Sequence, residues 1–161
     1  MTKHKWLAPL CKALGIVLLV GVIGLCLPIT APRLAGYEIY EVVSGSMEPE
    51  IPVGSVLYVK STDLTQIPEG DIIAFQDGDV VVAHRVVYNR TSLGEFVTKG
   101  DANNVEDREP IPYDQVIGCV ELHLPWLGMA MSLYATLVGK VYLLLIAGCG
   151  LMLCMLANRL G

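Results

Sequence analysis

Two long stretches of the sequence lack charge altogether. Residues 13–32 and 141–158 contain no charged side chain, and a basic residue flanks each of their ends. A helix of about 20 apolar residues is long enough to cross the hydrocarbon core of a bilayer. Together with a hydrophobic content of 53%, these stretches exclude an ordinary soluble domain and predict two transmembrane helices.

Acidic residues are missing from both ends of the chain. All 16 Asp and Glu lie between Glu38 and Glu121, and residues 31–137 also hold six bases, so this middle region has a formal charge of −10. Such a charge excludes nucleic acid as a partner, because phosphate binding needs a basic face. The positive-inside rule then predicts both chain ends in the cytoplasm and the acidic middle outside. The five remaining bases, beside or beyond the apolar stretches, are Lys3, Lys5, Lys12, Lys140 and Arg159.

The first apolar stretch has an alternative interpretation as a cleavable signal peptide. Pro32 would directly follow a cut after Ala31, and Arg33 stands where a cut after Ala35 would need a small residue. Because both cuts are unfavourable, we expect an uncleaved anchor.

Cysteine is almost absent from the acidic middle, where Cys119 stands alone. A disulfide within that region is therefore excluded. No pair of cysteines has metal-ligand spacing together with a suitable histidine. We expect neither a metal nor a cofactor.

Helical patterns are absent between the two apolar stretches, where short runs rich in Val, Ile and Tyr alternate with turn residues. Asp77-Gly78 between two such runs is a strong hairpin signal, and residues 89–94 predict a second hairpin loop. The length of 161 residues leaves room for one domain. The predicted strands cover residues 37–43, 55–60, 71–76, 80–87, 95–99 and 116–122.

Residues 124–139 are apolar but number only about 16, and Trp126 and Tyr134 suit the headgroup level of a bilayer. We interpret them as an interfacial segment, with a third span as the alternative. The predicted organisation is a cytoplasmic terminus (1–12), a transmembrane helix (13–32), an outer β domain (33–123), the interfacial segment (124–139), a transmembrane helix (140–158) and a cytoplasmic terminus (159–161).

A candidate nucleophile follows the first predicted strand in the sequence Ser44-Gly45-Ser46-Met47-Glu48-Pro49. Glycine allows a tight bend and proline ends regular structure, so a serine on this turn can present its hydroxyl to a substrate. An ordinary Ser/Gly turn is the alternative, since such tripeptides are common.

A candidate base is His84, the only histidine within the predicted strands. An ordinary imidazole has a pKa near 6.5 and can accept a serine proton at neutral pH. A lysine base must first have its pKa lowered by about three units, at a cost of about 4 kcal/mol. The alternatives are a structural role for His84, or a lysine base at Lys60 or Lys99.

Residues 98–108 are dense in carboxylates and turn formers. An aspartate here could orient the imidazole and stabilise its charged form. The alternatives are a solvated acidic loop or a calcium site built from hard oxygen donors, although the spacing and the closing Glu of an EF-hand are absent.

Three of these segments together resemble a known family. Ser44-Gly45-Ser46-Met47-Glu48-Pro49, Ala83-His84-Arg85-Val86 and residues 99–108 resemble, in order and spacing, the successive motifs of type I signal peptidases. They are most similar to the endoplasmic-reticulum type, shared by eukaryotes, archaea and some Gram-positive bacteria, which has histidine where the bacterial type has lysine. Residues 124–129 resemble the segment before that type's last helix. The resemblance covers about residues 36–129.

The resemblance implies a mostly-β, coiled-sheet catalytic domain flanked by N- and C-terminal transmembrane helices, which acts as a serine endopeptidase on signal peptides. It implies Ser46 as the nucleophile, His84 as the general base and Asp107 as the third member of the triad. It implies that Asp101 is a second carboxylate needed for activity or for the shape of the site. The Ser44 hydroxyl would assist the Ser46 backbone N–H in binding the oxyanion. One departure is Ser55, where the family often has an aspartate that we interpret as structural.

The implied partners are preproteins that carry signal peptides, and membrane lipid, with accessory subunits or the secretion translocon as further candidates. We expect an integral protein of a prokaryotic plasma membrane, with the endoplasmic reticulum as the alternative and the catalytic domain outside the cytoplasm. Two other functions stay open. One is a serine–lysine peptidase that uses Lys99 or Lys60, and the other is an inactive, membrane-anchored binding module of the same fold.

Overall fold

The computed structural model describes residues 6–160. Two long apolar helices lie near the ends of this range, α1 (Leu7–Leu34) and α3 (Leu137–Leu160), and a short helix α2 (Gly128–Ala135) precedes α3. By length and composition, α1 and α3 are able to cross a membrane. The cytoplasmic placement predicted for Lys3, Lys5 and residue 161 falls outside the described residues.

Both long helices extend beyond the charge-free stretches from which they were predicted. Backbone hydrogen bonding continues through the basic flanking residues, which absence of charge alone does not detect. Helix α2 has eight residues, or about 12 Å of helix, against a hydrocarbon core of about 30 Å. It is therefore too short to cross a bilayer.

A seven-stranded antiparallel sheet forms the middle of the chain, in the order β1-β2-β7-β3-β4-β5-β6. The mostly-β fold expected from the sequence is confirmed. The strands are β1 (Tyr37–Glu41), β2 (Val56–Lys60), β3 (Ile72–Asp77), β4 (Val80–Arg90), β5 (Glu95–Lys99), β6 (Ile111–Pro112) and β7 (Val116–Leu124).

The Asp-Gly hairpin prediction is confirmed, because Asp77 of β3 pairs with Val80 of β4 across Gly78, which has a φ of 58°. The second hairpin loop is shorter than predicted. Asn89 and Arg90 still pair with β5, so the turn covers only residues 91–94. Strand β6 was not predicted, because its two residues follow a proline and include another.

Apolar side chains pack on both faces of the central strands. Val81 and Ala83 of β4 face one cluster, which contains Met47, Ile51 and Leu57. The alternating residues Val82 and Val86 face a second cluster around Phe96, Ile73 and Phe75. Since successive side chains of a strand alternate between faces, His84 lies on the face of Val82 and Val86. A third cluster joins β1 and β2 to Leu124, Leu127 and Met131.

The chain divides into two compact units, a sheet unit (Pro32–Met131) and a helical unit that comprises the described parts of residues 1–31 and 132–161. Within the helical unit, α1 and α3 approach closely at Gly15. A Cβ on Gly15 would lie 2.7 Å from both the Gly150 carbonyl oxygen and the Cys154 Sγ. Small residues allow this close approach, as they do between helices in membranes.

Candidate active site

Ser46 lies on a turn that is anchored from both sides. The next residue, Met47, is 2% exposed and packs in the first cluster. The Met47 carbonyl accepts a hydrogen bond from the Ile51 N–H at 2.9 Å, and the Ser46 carbonyl accepts one from the Ala102 N–H at 2.9 Å. The backbone of Ser46 is thereby fixed between the sheet and the loop that follows β5.

A cleft opens beside Ser46, within the sheet unit. The segment after β1 forms one wall, where Ser44 and Ser46 lie, and residues 81–83 of β4 form the other. Met47, Ile51 and Leu57 also line the cleft, which gives it an apolar interior. The remaining lining residues are Tyr40, Glu41, Val42 and Val43.

His84 projects from β4 and is 8% exposed. Its Nδ1 lies 2.6 Å from Asp107 Oδ2. Because an ionised carboxylate can only accept, Nδ1 donates this bond, and Nε2 of the neutral ring is left as the acceptor. The ring also contacts Phe75 edge-on, with centroids 6.0 Å apart. The tautomer with its proton on Nδ1 is the one that a general base needs when it takes a proton through Nε2.

The Asp107 carboxylate has a second partner in Thr98 of β5. The Thr98 hydroxyl donates to Asp107 Oδ2 at 2.7 Å, and the Asp107 N–H donates to the Thr98 carbonyl at 2.9 Å. Asp107 is therefore fixed through its backbone and its side chain at once.

Asp101 binds a different residue. Arg85 donates to both of its carboxylate oxygens, from Nε at 2.8 Å and from a terminal nitrogen at 2.6 Å. The other terminal nitrogen of Arg85 donates to the Gly70 carbonyl at 2.7 Å. The hydrogen bonds that Arg85 donates to Asp101 raise the pKa of the guanidinium above its ordinary value. Since Arg85 follows His84 in β4, the two pairs lie on opposite faces of the strand.

Gly100 connects the two halves of the site. A Cβ on this glycine would lie 2.6 Å from the Ser46 carbonyl oxygen, 2.8 Å from Asn103 Nδ2 and 3.0 Å from His84 Nε2. The backbone of Ser46 and the accepting nitrogen of His84 therefore border the same small space. Of the predicted site residues, Ser44 and Ser46 line the cleft, His84 pairs with Asp107, and Asp101 pairs with Arg85. The space at Gly100 is bordered by both the Ser46 backbone and the His84 ring.

The two candidate lysines lie elsewhere in the sheet unit. Lys60 Nζ is 3.9 Å from Glu121 Oε1 and 5.3 Å from the centre of the Tyr37 ring. Lys99 is the cross-strand partner of Arg85. Cross-strand partners project from the same face, so Lys99 leaves the sheet on the face opposite to His84.

The structure adds site residues that the sequence interpretation did not single out. Arg85 could have been found, because a charged residue inside an apolar strand needs a carboxylate partner. Thr98 and Gly100 carried no such signal, since their positions matter only through distant contacts. Ser55 stands where the family often has an aspartate. Its side chain is fully buried and donates to the Pro52 carbonyl at 2.6 Å.

No protein-family model matches the chain. Individual proteins are nevertheless similar to it in sequence. The chain is 42% identical to signal peptidase I W of Bacillus subtilis over 90 residues. The aligned region covers 53% of this chain and 47% of that protein. It is 34% identical over 110 residues to the human signal peptidase complex catalytic subunit SEC11C, covering 60% of this chain and 57% of the relative.

A fungal relative gives the same result. The signal peptidase complex catalytic subunit SEC11 of Fusarium vanettenii is 32% identical over 99 residues, covering 54% of this chain and 58% of the relative. The chain spans about half the length of these relatives. A serine turn, a histidine–aspartate pair and two apolar helices accompany this similarity, which supports a type I signal peptidase.

Proposed function

We propose that this chain is a membrane-bound serine endopeptidase that removes signal peptides from secreted preproteins. The observation that carries the proposal is the 2.6 Å contact of His84 Nδ1 with Asp107, which leaves Nε2 beside the Ser46 turn. The names of the relatives support the same activity and the same class of substrate.

In the proposed acylation step, the Ser46 hydroxyl oxygen attacks the carbonyl carbon of the scissile peptide bond. His84 Nε2 accepts the hydroxyl proton as the new C–O bond forms. The imidazolium then gives that proton to the leaving nitrogen as the C–N bond breaks, which releases the mature protein and leaves the signal peptide as an ester on Ser46. In the second step, His84 Nε2 takes a proton from water as the water oxygen bonds to the ester carbon. The imidazolium then returns the proton to Ser46 Oγ as the ester C–O bond breaks, which frees the signal peptide with a new carboxyl end and restores Ser46.

The negative oxygen of each tetrahedral intermediate needs hydrogen-bond donors. The Ser46 N–H and the Ser44 hydroxyl are the proposed pair, because both residues line the cleft. Loss of one such donor lowers kcat by about 10²–10³-fold in enzymes of this chemistry. Asp107 does not carry the proton itself: it keeps the imidazole in the required tautomer and stabilises its charged form.

The cleft supports an extended substrate. Strand β1 is at one end of the sheet order, and the segment that continues from it forms a wall of the cleft. An extended peptide can pair with such a strand through main-chain hydrogen bonds, while its alternate side chains enter pockets. The apolar interior next to Ser46 would accept small side chains just before the cut.

The proposed setting is a membrane. Helices α1 and α3 would anchor the chain with both termini in the cytoplasm and the catalytic domain outside, in a prokaryotic plasma membrane or the endoplasmic reticulum. Accessory subunits are proposed as partners, since two relatives are named as catalytic subunits of a complex. Lipid contacts the helices in this arrangement.

The test is cleavage of a preprotein by the purified, detergent-solubilised full chain. Wild type would be compared with Ser46→Ala, His84→Ala and His84→Lys, and thermal unfolding would show that each variant is folded. We expect wild type to cut after a small residue and both alanine variants to be inactive, while the lysine variant asks whether an amine can replace the imidazole.

Other results would separate the alternatives. Cutting that survives His84→Ala would place the base elsewhere and reject the mechanism. A folded wild type that stays inert would be assayed again with membrane extract: recovery would identify a missing partner, and continued inertness would reject the enzyme in favour of a binding module.

A further inference from the structure

Buried polar side chains are few in the part of the chain that the structure describes. They are Ser55, His84 and Thr98, and Thr98 is fully buried. A buried hydroxyl is costly unless it is hydrogen-bonded, so its partner shows why it is there. Thr98 and His84 share one partner atom, Asp107 Oδ2.

The contact between Thr98 and Asp107 is reciprocal. The Thr98 hydroxyl donates to the carboxylate at 2.7 Å, and the Thr98 carbonyl accepts from the Asp107 N–H at 2.9 Å. Thr98 pairs with Val86 across the sheet, so its side chain is on the same face as that of His84. The branched Cβ of threonine also restricts its χ1 rotation, which holds the hydroxyl in one direction.

We propose that Thr98 is a positioning residue of the peptidase: its hydroxyl holds the Asp107 carboxylate against His84 Nδ1 and withdraws part of the charge that His84 would otherwise experience. This inference rests on the proposed function, since it requires His84 to act as the base. Thr98 does not line the cleft beside Ser46. Its effect on substrate therefore passes through Asp107 and His84.

Two consequences follow from removing the hydroxyl. The carboxylate is less firmly oriented, so kcat falls about tenfold, the loss expected for one hydrogen bond to a charged group. The carboxylate charge is also shared with one donor fewer, which favours the imidazolium. The acid limb of kcat/KM against pH then moves to higher pH, while KM is unchanged.

Other charges near His84 stay constant in this comparison. Asp77, Arg108 and Glu109 line a cavity that also borders His84 and Asp107. The Arg85–Asp101 pair lies on the opposite face of β4. None of these residues is altered, so a displaced acid limb reports on the Thr98 hydroxyl.

The experiment measures kcat and KM for preprotein cleavage across the pH range with the full-length chain. Thr98→Val removes the hydroxyl and keeps the shape, and Thr98→Ser keeps the hydroxyl. Ser55→Ala is the matched control, because it also removes a buried hydroxyl, one that donates to the Pro52 carbonyl and not to Asp107. Thr98→Ala, which adds no atoms, replaces the valine variant if that variant does not fold.

We expect the valine or alanine variant to show the lower kcat and the displaced acid limb, and the serine variant to restore the wild-type profile. Ser55→Ala should lower the melting temperature and leave the pH profile in place. A valine or alanine profile that superimposes on wild type overturns the inference. Activity that survives in Ser46→Ala and His84→Ala would instead overturn the proposed function, so the two failures are distinguishable.

Discussion

The loop between β5 and β6 contacts strand β4 at both of its ends, and the two contacts differ in kind. Near its start, Asp101 accepts two hydrogen bonds from the fork of Arg85. Near its end, Asp107 uses one oxygen for His84 and Thr98. Two aspartates of one loop thus meet adjacent residues of one strand, on opposite faces.

The difference lies in what each partner can do with a proton. A guanidinium stays charged under all ordinary conditions, so the pair of Arg85 with Asp101 is suited to holding the loop in place. An imidazole gains and loses a proton near neutral pH, so the pair of His84 with Asp107 is suited to proton transfer. In the proposed mechanism, the Asp101 carboxylate therefore holds the loop in position and the Asp107 carboxylate takes part in the reaction through His84.

The largest expected effect is that of Asp107→Asn. The amide is nearly the same size, but its NH₂ can donate to Nδ1 and favour the wrong tautomer of His84. We expect kcat to fall by about 10⁴-fold, as for the corresponding change in a serine protease triad, with a melting temperature close to wild type. Cleavage kinetics and thermal unfolding would test this, and a variant that keeps a tenth of wild-type kcat would refute it.

Gly100→Ala comes next, because it acts where the start of the loop meets the Ser46 turn. The new methyl group would lie 2.6 Å from the Ser46 carbonyl oxygen, a backbone atom that cannot rotate away. A displacement of about 1 Å at the reacting groups lowers the rate by about 10²-fold. Gly148→Ala, where a Cβ meets nothing within 4 Å, is the control and should keep full activity.

Asp101→Asn should have a smaller effect on chemistry and a clear one on stability. It weakens the bidentate pair, but Arg85 is 35% exposed and water compensates in part. We expect the free energy of unfolding to fall by about 1 kcal/mol and kcat by about tenfold or less. A double-mutant cycle with Arg85→Met would measure the coupling, and a coupling near zero would show that the pair does not hold the loop.

Asn89→Ala should leave kcat unchanged. The Asn89 amide donates to the Leu64 and Ile67 carbonyls at 2.9 Å and accepts from the Tyr113 hydroxyl, so its role is to join loops. Removing it leaves these groups without that partner and should lower the free energy of unfolding by about 1–3 kcal/mol. Chemical denaturation beside the cleavage assay would check this, and an activity loss larger than that of Asp101→Asn would contradict it.

The hydrogen bonds of Asn89 also affect how readily the glycosylation sequon Asn89-Arg90-Thr91 can be modified. In the folded sheet unit, both polar atoms of the Asn89 side chain are already in hydrogen bonds. Attachment of a sugar to Nδ2 would require breaking at least one of them. We therefore expect a glycosyltransferase added to the purified, folded chain to leave its mass unchanged, and attachment of a sugar to the folded chain would contradict this.

The sequence alone predicted the elements of the fold better than the pairing within the site. Charge-free length located α1 and α3, and Asp77-Gly78 located a hairpin, because each of these signals is local. The residues by themselves did not decide between Asp101 and Asp107 as the partner of His84, since a loop can turn either carboxylate towards the strand; only the family resemblance favoured Asp107. Thr98 gave no signal either, because its hydroxyl matters only through a contact nine residues away.

The most direct test of the central claim, that Asp107 and not Asp101 orients His84, is the imidazole N–H signal in a proton NMR spectrum of the histidine-labelled, detergent-solubilised chain. A strongly hydrogen-bonded Nδ1–H gives a downfield resonance, which His84→Ala would assign. We expect this resonance in wild type and in Asp101→Asn, and we expect its loss in Asp107→Asn. A resonance that persists in Asp107→Asn, or that disappears in a folded Asp101→Asn, would contradict it.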